Sequence, residues 1–110
     1  MSEKQKLLIV DDSELNRDIL KEILGSSYDY LEAENGTQAI QILEVHPEID
    51  LMLLDINMPQ MNGFQVLEHM RELQWIDEIP VVMISSEESV EIMRKAYDLG
   101  ITDYISRPFD

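Results

Sequence analysis

Three runs of four consecutive apolar residues constrain this chain more than any other feature: Leu7-Leu8-Ile9-Val10, Leu51-Met52-Leu53-Leu54 and Val81-Val82-Met83-Ile84. A strand with one wet face alternates apolar and polar residues, whereas these runs are apolar on both faces. Such strands belong in a parallel sheet that helices cover on both sides. Tyr28 to Ala33 and Thr102 to Ile105 are weaker strand candidates, placed by the same rhythm.

Helix-period segments lie between the runs. Ser13 is placed to cap a helix with Leu15, Ile19, Ile23 and Leu24 on one face, ended by Gly25. Asn35-Gly36 marks a turn, Thr37 is read as the next cap, and Ala39, Ile40 and Leu43 form a short stripe before Pro47. Phe64, Leu67 and Met70 outline a third helix after Gly63; Val90, Met93, Ala96 and Tyr97 outline a fourth, closed by Gly100. The order β-α-β-α-β-α-β-α-β, with right-handed crossovers, gives a three-layer α/β sandwich, a doubly wound five-stranded parallel sheet. The 110 residues form one domain, 1–110. The chain stops at Asp110 with no final helix over that side of the sheet, and either an artificial boundary or a parent protein that continues into an output domain is expected.

Charge and composition exclude several classes of function. The 23 acidic and 8 basic residues give a net charge of −15, which repels nucleic acid and anionic membranes and favours cations or basic protein surfaces. Without cysteine there are no disulfides, thiolate zinc sites or thiol chemistry. No apolar run approaches the ~20 residues that span a bilayer, and Met1 to Lys6 is no signal peptide. A cytoplasmic protein is the simplest expectation.

Ligands bind at the carboxyl ends of the strands in open parallel sheets. Asp11-Asp12 follows the first strand, Asp55 the third, Ser85 the fourth, and Arg107 lies just past the fifth. One strand-end Asp is usually a turn former or helix cap. Three that converge on one edge repel one another, raise each other's pKa and call for a cation. Carboxylate oxygens without His or Cys suit a hard ion: Mg²⁺ first, with Mn²⁺ able to substitute and Ca²⁺ a poorer match to so compact a site. His46 and His69 fall away from that edge and read as surface residues. Met58 and Met61 read as gap-filling core or a docking surface, and Trp75 as packing. Glu87-Glu88 reads as a pair of first-turn acids at a helix N-terminus.

Four blocks of sequence together resemble a response-regulator receiver domain of two-component signalling. They are Leu7 to Asp12, Leu53 to Gly63 (Leu-Leu-Asp-Ile-Asn-Met-Pro-Gln-Met-Asn-Gly), Pro80 to Ser86, and Asp103 to Phe109. The resemblance implies the flavodoxin-like strand order 2-1-3-4-5. It also implies that Asp55 accepts the phosphoryl group, that Asp12 and Asp55 ligate Mg²⁺ by their side chains, and that Asn57 does so by its backbone carbonyl. Asp11 would orient water in the ion's shell, and Ser85 would donate its hydroxyl to a phosphoryl oxygen. Arg107 stands where the family pattern usually has Lys; contact with the phosphoryl group and a surface ion pair are both open, because Arg is a planar fork with a different reach. The Arg107-Pro108 bond is expected to be cis. Tyr104 would be the switch aromatic, coupled to Ser85 and to the α4-β5 surface. The implied donor is a phosphohistidine on a sensor histidine kinase or phosphotransfer protein, with a partner helix docking near Leu15 and Asn16. A homodimer is possible, and the output domain or effector is unspecified. Such a domain is an acceptor, with no turnover substrate.

Other classes fit less well. An aspartate-nucleophile phosphatase places two acids two residues apart after its first strand and carries a cap insertion, whereas here the acids are adjacent and position 13 is Ser. A flavin-mononucleotide protein needs a hydroxyl- and glycine-rich phosphate loop where this chain has Asp11-Asp12. A phosphorylation-independent pseudo-receiver, acting as an interaction module, has only Arg107 in its favour.

Overall fold

Each apolar run becomes a strand. The computed structural model describes residues 4–59, 61–86 and 89–106. In chain order the elements are β1 (Gln5–Val10), α1 (Glu14–Leu24), β2 (Tyr28–Ala33), α2 (Gly36–Val45), β3 (Leu51–Asp55) and α3 (Gly63–Glu72). A 3₁₀ turn (Trp75–Asp77), β4 (Val81–Ser85), α4 (Val90–Asp98) and β5 (Asp103–Ser106) complete them. All strand pairs are parallel, and the order is β2-β1-β3-β4-β5. The α/β class and the 2-1-3-4-5 order are therefore as expected. Asp55 and Ser85 turn out to be the last residues of β3 and β4 rather than the residues after them.

Alternate residues of each strand enter different cores. Leu8, Val10, Met52, Leu54, Val81, Met83 and Tyr104 join Ala39, Leu43, Val66, Leu67, Met70 and Ala96 from α2, α3 and α4 in the larger core. On the other face, among the described residues, Ile9, Leu53 and Ile84 meet only Leu20 of α1 as a buried partner. Each fully buried aliphatic side chain contributes roughly 1.5–3 kcal/mol, so the larger core carries most of the stability.

One local expectation changes. The cap of α2 is Asn35, whose side chain accepts from the Gln38 amide at 2.8 Å, and not Thr37. Asn35 stands one residue before the first helical position, where its oxygen reaches an unpaired amide, whereas Thr37 already lies inside the helix. In α1, Leu15, Ile19 and Ile23 are 68%, 39% and 59% exposed, while Arg17 and Leu20 are buried. The apolar arc of α1 is wider than its contact with the sheet, so its outer edge stays outside. At the carboxyl end of the sheet Gly63 packs so tightly that an added Cβ would lie 2.6 Å from the Asp55 carbonyl oxygen.

Candidate functional site

Strand order and register alone bring the acids together. The order reverses between β1 and β3, which both start crossovers to opposite sides and leave a crevice at their carboxyl ends. Val10 pairs with Leu54, so Asp11 and Asp55 are the next residues across the same ladder. Both share the parity of Ile9 and Leu53, two residues earlier. Asp12 follows Asp11 into the turn. One oxygen from each of Asp11, Asp12 and Asp55 lies within 4.8 Å of the others.

The turn that presents these acids is held from several directions. The Asp11 amide donates to the Ala33 carbonyl at 3.1 Å, which extends the β1–β2 ladder by one step. The Asp11 carboxylate accepts from the Ser13 amide at 2.9 Å, and the Ser13 hydroxyl oxygen accepts from the Asn16 amide at 3.2 Å to cap α1 as expected. The Asp11 carbonyl accepts from Arg17 Nη1 at 2.6 Å. Arg17 Nε also donates to Glu32 Oε1 at 2.9 Å, and Lys21 Nζ donates to Glu32 Oε2 at 2.9 Å. Lys21, first, and Arg17 hold the Glu32 carboxyl below its ordinary pKa, and Glu32 in turn raises Lys21.

Asp11 and Asp55 are buried, at 1% and 4% exposure, and Asp12 is exposed. Two acids buried against a third is a costly arrangement unless positive charge compensates it. The donors are all oxygens, without nitrogen or sulfur, the set a hard divalent cation prefers. These residues therefore fit a Mg²⁺ or Mn²⁺ ion.

The other expected residues fall into three groups. Ser85 is fully buried at the end of β4, one residue beyond the Asp55–Ile84 pair, and so belongs to the same edge. Asn57 is exposed in the loop after β3. Tyr104 is 9% exposed and packs within the larger core, in register with Met83, so its ring is turned inward. Arg107, the Arg107-Pro108 bond and Glu87-Glu88 lie outside the described residues. His46 and His69 are half-buried and away from the acids, and Met58, Met61 and Trp75 pack against the larger core.

Arg17 escaped the sequence reading. A lone Arg between Asn16 and Asp18 looks like the wet face of an amphipathic helix, and only its partner Glu32, 15 residues on, hints otherwise. Gly63 reads in the sequence only as a helix boundary, although it closes α3 against the end of β3. Among the described residues no helix is long and apolar enough to cross a membrane.

Comparison with known proteins agrees with this arrangement. Residues 7–110 match the model of the family described as the response regulator receiver domain. The chemotaxis protein CheY1 of Helicobacter pylori is 37% identical over 106 residues, which is 94% of this chain and 86% of that protein. Among solved structures, chemotaxis protein CheY4 of Vibrio cholerae superposes with a TM-score of 0.88 at 28% identity, covering 98% of this chain and 90% of that one. The CheX-CheY-BeF₃-Mg²⁺ complex of Borrelia burgdorferi superposes with a TM-score of 0.87 at 30% identity, covering 96% and 80%.

Proposed function

Since the chain belongs to the response regulator receiver domain family of two-component signalling, we propose that it takes a phosphoryl group onto Asp55 from a phosphohistidine. The observation that carries this reading is the trio Asp11, Asp12 and Asp55 gathered within 4.8 Å at the switch point of the sheet. An oxygen of the Asp55 carboxylate attacks phosphorus as the P–N bond to the donor imidazole breaks, and the departing imidazole keeps its ring proton and leaves neutral. The product is an acyl phosphate. Asp12, Asp55 and the Asn57 carbonyl would hold Mg²⁺, with Asp11 orienting its water; when bound, the ion supplies charge neutralisation for the phosphoryl oxygens. Ser85, at the same edge, donates its hydroxyl to one of those oxygens, and Arg107 offers a second cation.

Phosphorylation then changes the surface formed by α4 and β5. Drawing Ser85 toward the phosphoryl group favours the inward position of Tyr104, the position it occupies here. Val90, Tyr97 and Ile105 are exposed on these elements and form the surface that an effector or output domain reads. Lys95 Nζ lies 4.4 Å from the centroid of the Phe64 ring and ties α4 to α3, a contact worth about 1 kcal/mol and so weak enough to yield during a switch. A sensor histidine kinase or phosphotransfer protein in the cytoplasm is the donor, docking at α1 near Leu15 and Asn16. The exposed apolar edge of α1, with Ile105 on β5, suits cover by a further helix, an output domain or a second copy.

Intact mass after incubation with phosphoramidate tests the reading. A single hydroxylamine-labile phosphoryl adduct is expected in the wild type with Mg²⁺, and none with chelator or in Asp55→Asn. An equal adduct in folded Asp55→Asn would remove Asp55 from the acceptor role, and no adduct with any donor would favour an interaction-only module.

A further inference from the structure

A buried arginine on α1 touches the backbone beside the acid cluster. Arg17 is only 7% exposed. A guanidinium in that position is costly unless its donors find acceptors, and an apolar residue would fill the gap beside Leu20 without that cost. Two of its nitrogens are spent on separate elements: Nη1 donates to the Asp11 carbonyl at 2.6 Å, and Nε donates to Glu32 on β2 at 2.9 Å. Glu32 pairs in register with Ile9, two residues before Asp11, and is held by Lys21 as well. The guanidinium therefore links α1, β2 and the turn after β1.

We infer that Arg17 is a positioning residue for the divalent-cation site: by clamping the Asp11 carbonyl it sets the Asp11–Asp12 peptide plane and hence the direction of the Asp12 carboxylate. This rests on the proposed metal-dependent acceptor reading. The Asp11 amide is held by Ala33, the Asp11 carboxylate by the Ser13 amide and the Asp11 carbonyl by Arg17. Asp12 is exposed and follows directly. Its backbone path is decided by the peptide plane before it, which has one soft dihedral on each side. Arg17 does not act as a phosphate binder, because Glu32 answers its charge and the carbonyl takes its other arm. Groups that orient metal ligands from behind alter metal affinity without contacting the ion.

The test is calorimetric titration of MgCl₂ into the whole chain, for wild type, Arg17→Gln, Arg17→Lys and Glu32→Gln, well below each melting midpoint. Carbonyl ¹³C shifts report on the Asp11 hydrogen bond in the same samples. Arg17→Gln is expected to weaken Mg²⁺ about tenfold, the low end for loss of a ligand-orienting group, with Arg17→Lys recovering part of it. Glu32→Gln, which leaves the Asp11 contact in place, should cost under about threefold. The phosphorylation rate of Arg17→Gln at saturating Mg²⁺ should approach that of wild type. A purely structural strap would lower the melting midpoint and leave Mg²⁺ affinity alone. Wild-type affinity in Arg17→Gln with the Asp11 carbonyl shift altered overturns the inference; if that variant does not fold, the same result in Arg17→Lys does so. No Mg²⁺ binding by wild type overturns the metal-site reading beneath it, and this inference with it.

Discussion

The two ends of the sheet arrange their acids differently. At the amino end Lys6 Nζ lies 3.0 Å from Glu48, His46 Nδ1 lies 2.8 Å from the same carboxylate, and the Lys6 amide donates to Asp50 at 2.9 Å. These groups are exposed or half-exposed, and acids there meet cations of the same chain. At the carboxyl end Asp11 and Asp55 are buried and gather with Asp12. Exposed pairs contribute little because water screens them and long side chains lose entropy. Like charges brought together under burial, by contrast, suit a divalent cation. A strongly acidic composition thus takes two forms in one molecule: solvated surface at one end and a gathered acid cluster at the other.

The largest effect that sharpens this contrast is metal-linked stability. Mg²⁺ at one hundred times its dissociation constant should raise the unfolding free energy by about 2.7 kcal/mol. Chemical denaturation should show that increment intact in Glu48→Gln and lost in Asp12→Asn; an equal increment in both variants would break the comparison. Next comes packing at the end of β3. Gly63→Ala drives a Cβ into the Asp55 carbonyl and the Ile56 Cα, and should cost about 2 kcal/mol by overpacking, read from the denaturation midpoint.

Smaller, and opposite in sign, is the effect of removing one acid without metal. Asp12→Asn in chelator should stabilise the fold by about 1 kcal/mol, the scale of one like-charge contact at about 4 Å in water. A loss of stability instead would mean that Asp12 is structural. The smallest effect belongs to the amino end. His46, the residue's own backbone and Lys6 lower the Glu48 pKa from 4.5 to about 2. A carboxyl depressed in the folded state contributes its stability above the unfolded pKa and loses it as pH falls. The difference between wild type and Glu48→Gln should therefore fade between pH 4.5 and 2. Salt should shrink it too, and a salt-insensitive difference would contradict the surface picture.

Much of this was legible in the linear chain, for identifiable reasons. Leu7–Val10, Leu51–Leu54 and Val81–Ile84 revealed themselves because a doubly covered strand must be apolar at every position. Asp11, Asp12, Asp55 and Ser85 were legible as a set because strand ends in a parallel sheet all point to one edge. The stripe of α1 showed which residues share a face, but periodicity does not report how far the helix rolls against the sheet, and Leu15, Ile19 and Ile23 are exposed. Arg17 was invisible for a related reason: its burial depends on Glu32 and the Asp11 carbonyl arriving beside it. Asn35 displaced Thr37 as a cap because the helix begins two residues earlier than its hydrophobic stripe suggests.

By itself, then, the order of apolar runs and strand-end acids determined the α/β class and the residues at the carboxyl edge, since both follow from local burial and chain direction. Only the tertiary structure decided that Asp11 and Asp55 lie just beyond the paired Val10 and Leu54, that Arg17 turns inward to meet the turn after β1, and that Tyr104 sits inside the core. Those outcomes depend on strand register and helix roll, which long-range packing sets and no local stretch of sequence encodes.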